Sequence, residues 1–268
     1  MNETFQEQPE INFSGFINDW EKSDIPNKQI LAEQLSQLKD ENMGQAVLAN
    51  LDERYMKASD KEKSILVSAF ENIGIQCPGV EAASTDVLLS LARQEGNKQE
   101  IFTALQNKTI SLFRQTSQGR DFSPYIEKVF NTFMSSFSQR NLSEEERLSI
   151  VTGISKFGEQ PKLKGELNDF LRDVFKSDNS QLSKAALPEL VEITDAGDTS
   201  LIYPILEKIS EVDINKSEII IPYIIMLEKI GDLSCAETLN QLEDSSEESV
   251  KIAAERAIAK IEERENAK

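Results

Sequence analysis

At seven places along the chain, near the end of a helix-period stretch, one apolar residue is followed by another three positions later. The pairs are Leu35/Leu38, Phe70/Ile73, Leu112/Gln115, Ile154/Phe157, Leu190/Ile193, Leu227/Ile230 and Ile258/Ile261, with Gln115 the one polar member. First members are separated by 35, 42, 42, 36, 37 and 31 residues. Intervals of this size are the period of stacked two-helix repeats, in which each repeat covers its apolar stripe only by packing on its neighbours. The pattern therefore predicts an all-α fold of about seven helical hairpins, each a helix A, a tight turn and a helix B. Such arrays mostly supply binding surface.

The stripes within each hairpin have the helical period. The first A helix carries Phe13, Phe16, Ile17 and Trp20, and its partner Ile30, Leu31, Leu35 and Leu38. The second pair has Val47, Leu48, Leu51 and Tyr55, then Ile65, Leu66, Ala69, Phe70 and Ile73. The third A helix holds Val87, Leu88 and Leu91, with a B helix from about Lys98 to Thr116; the fourth A helix is aromatic, with Tyr125, Phe130, Phe133 and Phe137. That aromatic stripe reads as core. Trp20 either closes off the first repeat or anchors a partner. Gly74, Gly158, Gly197 and Gly231 each fall just past a B helix, where a left-handed residue is wanted. Ser143-Glu144-Glu145-Glu146 reads as a capping box, and Asp60, Thr85 and Ser123 or Pro124 suit helix starts.

The last two repeats resemble a known family. Gly231-Asp232 is followed by Cys235, Leu239, Leu242 and Asp244, and then by Val250-Lys251-Ile252-Ala253-Ala254-Glu255-Arg256-Ala257-Ile258-Ala259-Lys260-Ile261. This is similar to the bacterial HEAT-like repeat found in bilin lyases: Gly-Asp, spaced apolar residues, Asp, then Val-Arg-x-x-Ala-x-x-Ala-Leu-x-x-Ile. Gly197-Asp198 begins a second, looser copy that ends in Met226-Leu227-Glu228-Lys229-Ile230-Gly231, so the resemblance covers about residues 197–264. It implies a right-handed HEAT/ARM-like superhelix whose B helices line the concave side. Asp198 and Asp232 then stand at helix starts, where a carboxylate meets free N–H groups.

Composition narrows the function. The formal charge is −18, with 47 Asp and Glu against 29 Lys and Arg. A chain so acidic repels phosphate backbones, which argues against a nucleic-acid partner and against the HEAT-like DNA glycosylases. There is no histidine, which removes the commonest general base and metal ligand and excludes the HEAT-like di-iron hydroxylases. No Gly-rich phosphate loop or zinc-spaced cysteine cluster occurs. Neither a cofactor nor a metal is expected, and the acidic run Glu243, Asp244, Glu247 and Glu248 lacks the alternating ligands and turn glycine of a calcium loop. Cys77 and Cys235 read as reduced, buried small residues. No apolar run is long enough to span a bilayer. The opening residues lack the basic and apolar regions of a secretory signal, so a cytoplasmic location is expected.

These readings converge on residues 11–264 as a single helical-repeat domain after a flexible arm at 1–10. The expected function is non-enzymatic, a scaffold or adaptor holding a protein or peptide, with basic surfaces favoured by the negative field. A bilin-lyase-like enzyme or enzyme subunit is the alternative that the resemblance implies. The stretch Ile219-Ile220-Ile221-Pro222-Tyr223-Ile224-Ile225-Met226-Leu227 is the most unusual local feature. Ile221 and Ile225 face away from helix A; they are either buried between repeats or form an exposed strip that marks a partner site. Pro222 either opens this helix late or bends it. The candidate contact positions are Ile221, Ile225, Lys251 and Glu255.

Overall fold

A computed structural model describes residues 15–94, 98–139 and 141–267. Among them are fourteen α-helices and no strand. Contacts group the chain into two compact units, one through Ile150 and one from Val151. Phe13 and the arm at 1–10 lie outside the described residues.

The first unit contains α1 (Phe16–Lys22), α2 (Ile25–Gln34), α3 (Glu41–Tyr55), α4 (Asp60–Asn72), α5 (Pro78–Ala92), α6 (Lys98–Ser117), α7 (Ser123–Phe137) and most of α8 (Glu144–Val151). Consecutive helices pair, as α1 with α2, α3 with α4 and α5 with α6. The pairs stack in two rows: α2 packs on α4 and α4 on α6, while α1, α3, α5 and α7 follow one another alongside. The second unit contains α9 (Pro161–Lys176), α10 (Ser180–Ile193), α11 (Ile202–Ser210), α12 (Ser217–Ile230), α13 (Ala236–Leu242) and α14 (Glu248–Asn266). Here α9 pairs with α10, α11 with α12 and α13 with α14, and α10, α12 and α14 form one row. A 3-10 turn, Ile154–Glu159, leads in and packs on α9 and α10.

The recurring apolar pairs explain the rows. Every member is buried except Ile258, which is half-buried. Each buried Leu, Ile or Phe contributes roughly 1.5–3 kcal/mol relative to exposure, so the pairs are the cores of successive layers. Gln115 is buried as well. Its amide donates to the Ile75 carbonyl at 3.4 Å and its carbonyl accepts from Arg120 at 3.1 Å, so the polar member is satisfied where it stands. Phe130 and Phe133 are fully buried, and Phe133 meets Phe102 edge-on at 5.6 Å between ring centroids. Trp20 is fully buried against Phe16, which makes it core here and not an exposed anchor.

Local signals hold in part. Ser143 and Glu146 form the reciprocal capping box: Glu146 N donates to Ser143 Oγ and Ser143 N to the Glu146 carboxylate. Thr85, in contrast, lies inside α5, where its hydroxyl donates to the Glu81 carbonyl at 2.8 Å; Pro78 opens that helix instead. Gly74 and Gly197 have positive φ, but Gly158 and Gly231 do not. At Gly231 the requirement is space: a Cβ would lie 2.5 Å from the Leu227 carbonyl oxygen. Pro222 sits inside α12, which starts at Ser217, so the proline does not open the helix late.

The deepest polar contact is in the first unit. Lys108 on α6 and Glu81 on α5 are fully buried and paired at 2.6 Å. Lys108 Nζ also donates to the Ile73 carbonyl at 2.6 Å, at the end of α4. Burial pushes the Lys108 ammonium below its ordinary range, and Glu81 opposes that shift. Removing one partner strands the other charge. Lys108→Met is therefore expected to destabilise the first unit by about 3–5 kcal/mol, and adding Glu81→Leu to recover most of the loss. Urea denaturation of the single and double variants measures both.

Candidate functional site

A helix ends with several carbonyls that lack intrahelical donors. In this chain three of the row-forming helices, α4, α10 and α12, end against a cation from the next helix of the row. The Ile73 carbonyl after α4 receives Lys108 from α6. The Val191 carbonyl near the end of α10 receives Lys229 from α12 at 2.5 Å, with Glu192 O at 3.4 Å. The carbonyls of Glu228 in α12 and of Gly231 just after it receive the Arg264 guanidinium from α14, at 3.1 and 2.5 Å. A cation at a helix C-terminus also meets the negative end of the dipole.

Around the α10 end, a pocket of ≈ 330 Å³ lies between the 3-10 turn, α9, α10 and α12. Its polar lining includes Lys156, Lys164, Glu192, Asp195 and Lys229. Lys164 pairs with Asp195 at 2.6 Å, and Ser155 Oγ donates to Glu192 at 2.5 Å. Desolvation pulls the Lys229 ammonium below its ordinary range; Asp195 and Glu192 oppose this and Lys164 adds to it. Glu189 of α10 accepts from the backbone N–H groups of Gly153 and Ser155, which holds the turn against the helix. Thr194, the residue after α10, is buried, and its hydroxyl finds no partner among the described residues.

The positions singled out from sequence lie on α12 and α14. Ile221 and Ile225 are half-buried on α12, Lys251 is half-buried on α14, and Glu255 is exposed on α14. The two helices pack together, and Arg256 of α14 pairs with Glu228 of α12 at 2.8 Å. At 100° per residue Glu228 falls within about 60° of both Ile221 and Ile225, so the ion pair marks their side of the row. Ile252, 56% exposed, is one turn before Arg256 and belongs to the same face. Sequence reasoning missed Ile252, although it precedes Ile258 by the interval that separates Ile221 from Leu227. Pro188, exposed on α10, continues the row.

Asp198 and Asp232 act as caps. Asp198 accepts from Ser200 N and pairs with Arg172, and Asp232 accepts from Ser234 N at 2.9 Å. Among the described residues no group of three or more acidic or cysteine side chains is arranged to hold a metal, the Glu243–Glu248 run included. No described helix is long and apolar enough to cross a membrane. Cys77 and Cys235 are buried free thiols, each pushed above its ordinary range by desolvation.

Comparison with protein-family models and with curated proteins gives no match.

The unpartnered hydroxyl makes a testable point. Replacing Thr194 with the isosteric valine removes a buried polar atom without a bond to lose. Thr194→Val is expected to leave stability unchanged or raise it by up to about 1 kcal/mol. A thermal melt checks this; a clear loss would mean the hydroxyl is bonded in solution.

Proposed function

We propose that the chain is a non-enzymatic adaptor, a right-handed HEAT-like α-solenoid of about seven helical hairpins, that holds a protein or peptide on the face formed by its B helices. The observation that carries this reading is the row on α12 and α14. Ile221, Ile225 and Ile252 lie on one side of a helix stack, and Ile252 is 56% exposed. A sheltered but uncovered line of isoleucines on rigid helices suits a partner contact. The negative charge of the chain favours a basic partner and speeds its approach. Two buried thiols with raised pKa values fit a reducing, cytoplasmic setting.

The test begins with affinity capture on the full chain, followed by binding measurements with the purified partner. Ile221→Asp and Ile225→Asp are expected to keep the helical circular-dichroism spectrum and to weaken the partner at least about tenfold. If both variants fold and bind as before, the site is elsewhere. If both unfold, the isoleucines are structural.

A further inference from the structure

The cations and carboxylates of this isoleucine face are not used alike. Lys229 and Arg264 are turned onto helix-end carbonyls. Arg256 is matched to Glu228, and Lys260 to Glu263. Glu218, one turn before Ile221, is exposed, as are Glu248 and Glu255, one turn either side of Ile252. None of the three forms an ion pair among the described residues. Half-buried Lys251 lies about 60° from Glu248 and about 40° from Glu255 but about 100° around α14 from Ile252, on the far side of those carboxylates, so it offsets one of the three charges. The apolar row is therefore bordered by surplus negative charge.

Geometry suggests what covers it. Stacked helices stand about 8–10 Å apart, and seven residues of an α-helix rise about 10.5 Å. A helix laid across α10, α12 and α14 would thus bring an apolar residue to each row every seven positions. A further apolar residue three or four positions on would meet the Ile221/Ile225 pair.

We infer that this face takes a basic amphipathic α-helix, its apolar stripe on Ile221, Ile225 and Ile252 and its Lys or Arg residues on Glu218, Glu248 and Glu255. The inference rests on the adaptor reading and names the partner's chemistry. Charge complementarity selects the occupant: an acidic or neutral helix would leave three exposed carboxylates unmatched or repelled.

The probe is a synthetic 18-residue leucine–lysine peptide with leucines at helical spacing, labelled and titrated with the full-length protein by fluorescence anisotropy. Two controls have the same length: one with central prolines, one with glutamate in place of lysine. The leucine–lysine helix is expected to bind, more weakly as salt rises, and both controls at least about tenfold less. Ile225→Asp and Ile252→Asp should each weaken it about tenfold or more. The triple variant Glu218→Gln, Glu248→Gln, Glu255→Gln should weaken it and flatten its salt dependence. A triple variant in the first unit, Asp19→Asn, Glu33→Gln, Asp52→Asn, should not.

Equal weakening by the two triple variants would overturn the inference, since attraction would then be diffuse. So would full binding by the isoleucine variants, or by the proline-broken peptide, which would point to an extended partner. If the peptide does not bind but a purified natural partner is lost with Ile225→Asp, this inference fails and the adaptor reading stands. If the peptide binds as described but the natural partner ignores Ile225→Asp, the adaptor site is wrong while the face keeps its preference.

Discussion

The carbonyl end of a helix has to find donors, and at three helix ends here the next helix of the row supplies them as cations. Lys108, Lys229 and Arg264 each reach back roughly one repeat to close the end of the preceding row helix. The contact satisfies polar groups that burial would otherwise make costly. It also fixes register, because a charged donor has few positions along a helix end where it finds carbonyls. The apolar pairs supply the larger part of the packing energy. The latches add a directional contact at each of these three helix ends, which apolar packing lacks.

This arrangement shapes the surface. Lys229 and Arg264 are held at helix ends and not beside Glu218, Glu248 and Glu255, in a chain already rich in Asp and Glu. In the second unit that surplus lies beside isoleucines that the stack leaves partly open. Holding Lys229 and Arg264 at helix ends fits the recognition character proposed for α12 and α14.

Much of the fold was legible because the helical period and the repeat period are both written in apolar residues. The layers at Leu35, Phe70, Leu190 and Leu227 followed from spacing alone, and the Ser143 capping box from four residues. What failed was less local. Gln115 stood out as the one polar member because its partner, the Ile75 carbonyl, is forty positions away. Gly231 read as a left-handed cap, whereas its glycine answers crowding by the Leu227 carbonyl. Thr85 read as a helix start because hydroxyls often cap, but Pro78 had already opened α5. The Glu81–Lys108 pair was invisible, since a charge pattern on a helix does not say which charges are inside. Ile221 and Ile225 were found from an unusual apolar run. Ile252, isolated in a polar helix, needed the repeat alignment to be noticed.

Amide hydrogen exchange tests the latch account most directly. The relevant amides are those of Ile73, Thr194 and Gly231, which bond back to Ala69, Leu190 and Leu227 at the three helix ends. The account predicts that Lys229→Met and Arg264→Met each speed exchange roughly five- to tenfold, and Lys108→Met about a hundredfold or more, at the amide of the helix end they close, with little effect at the other two. Unchanged exchange at these amides, or an equal change at all three in every variant, would contradict it.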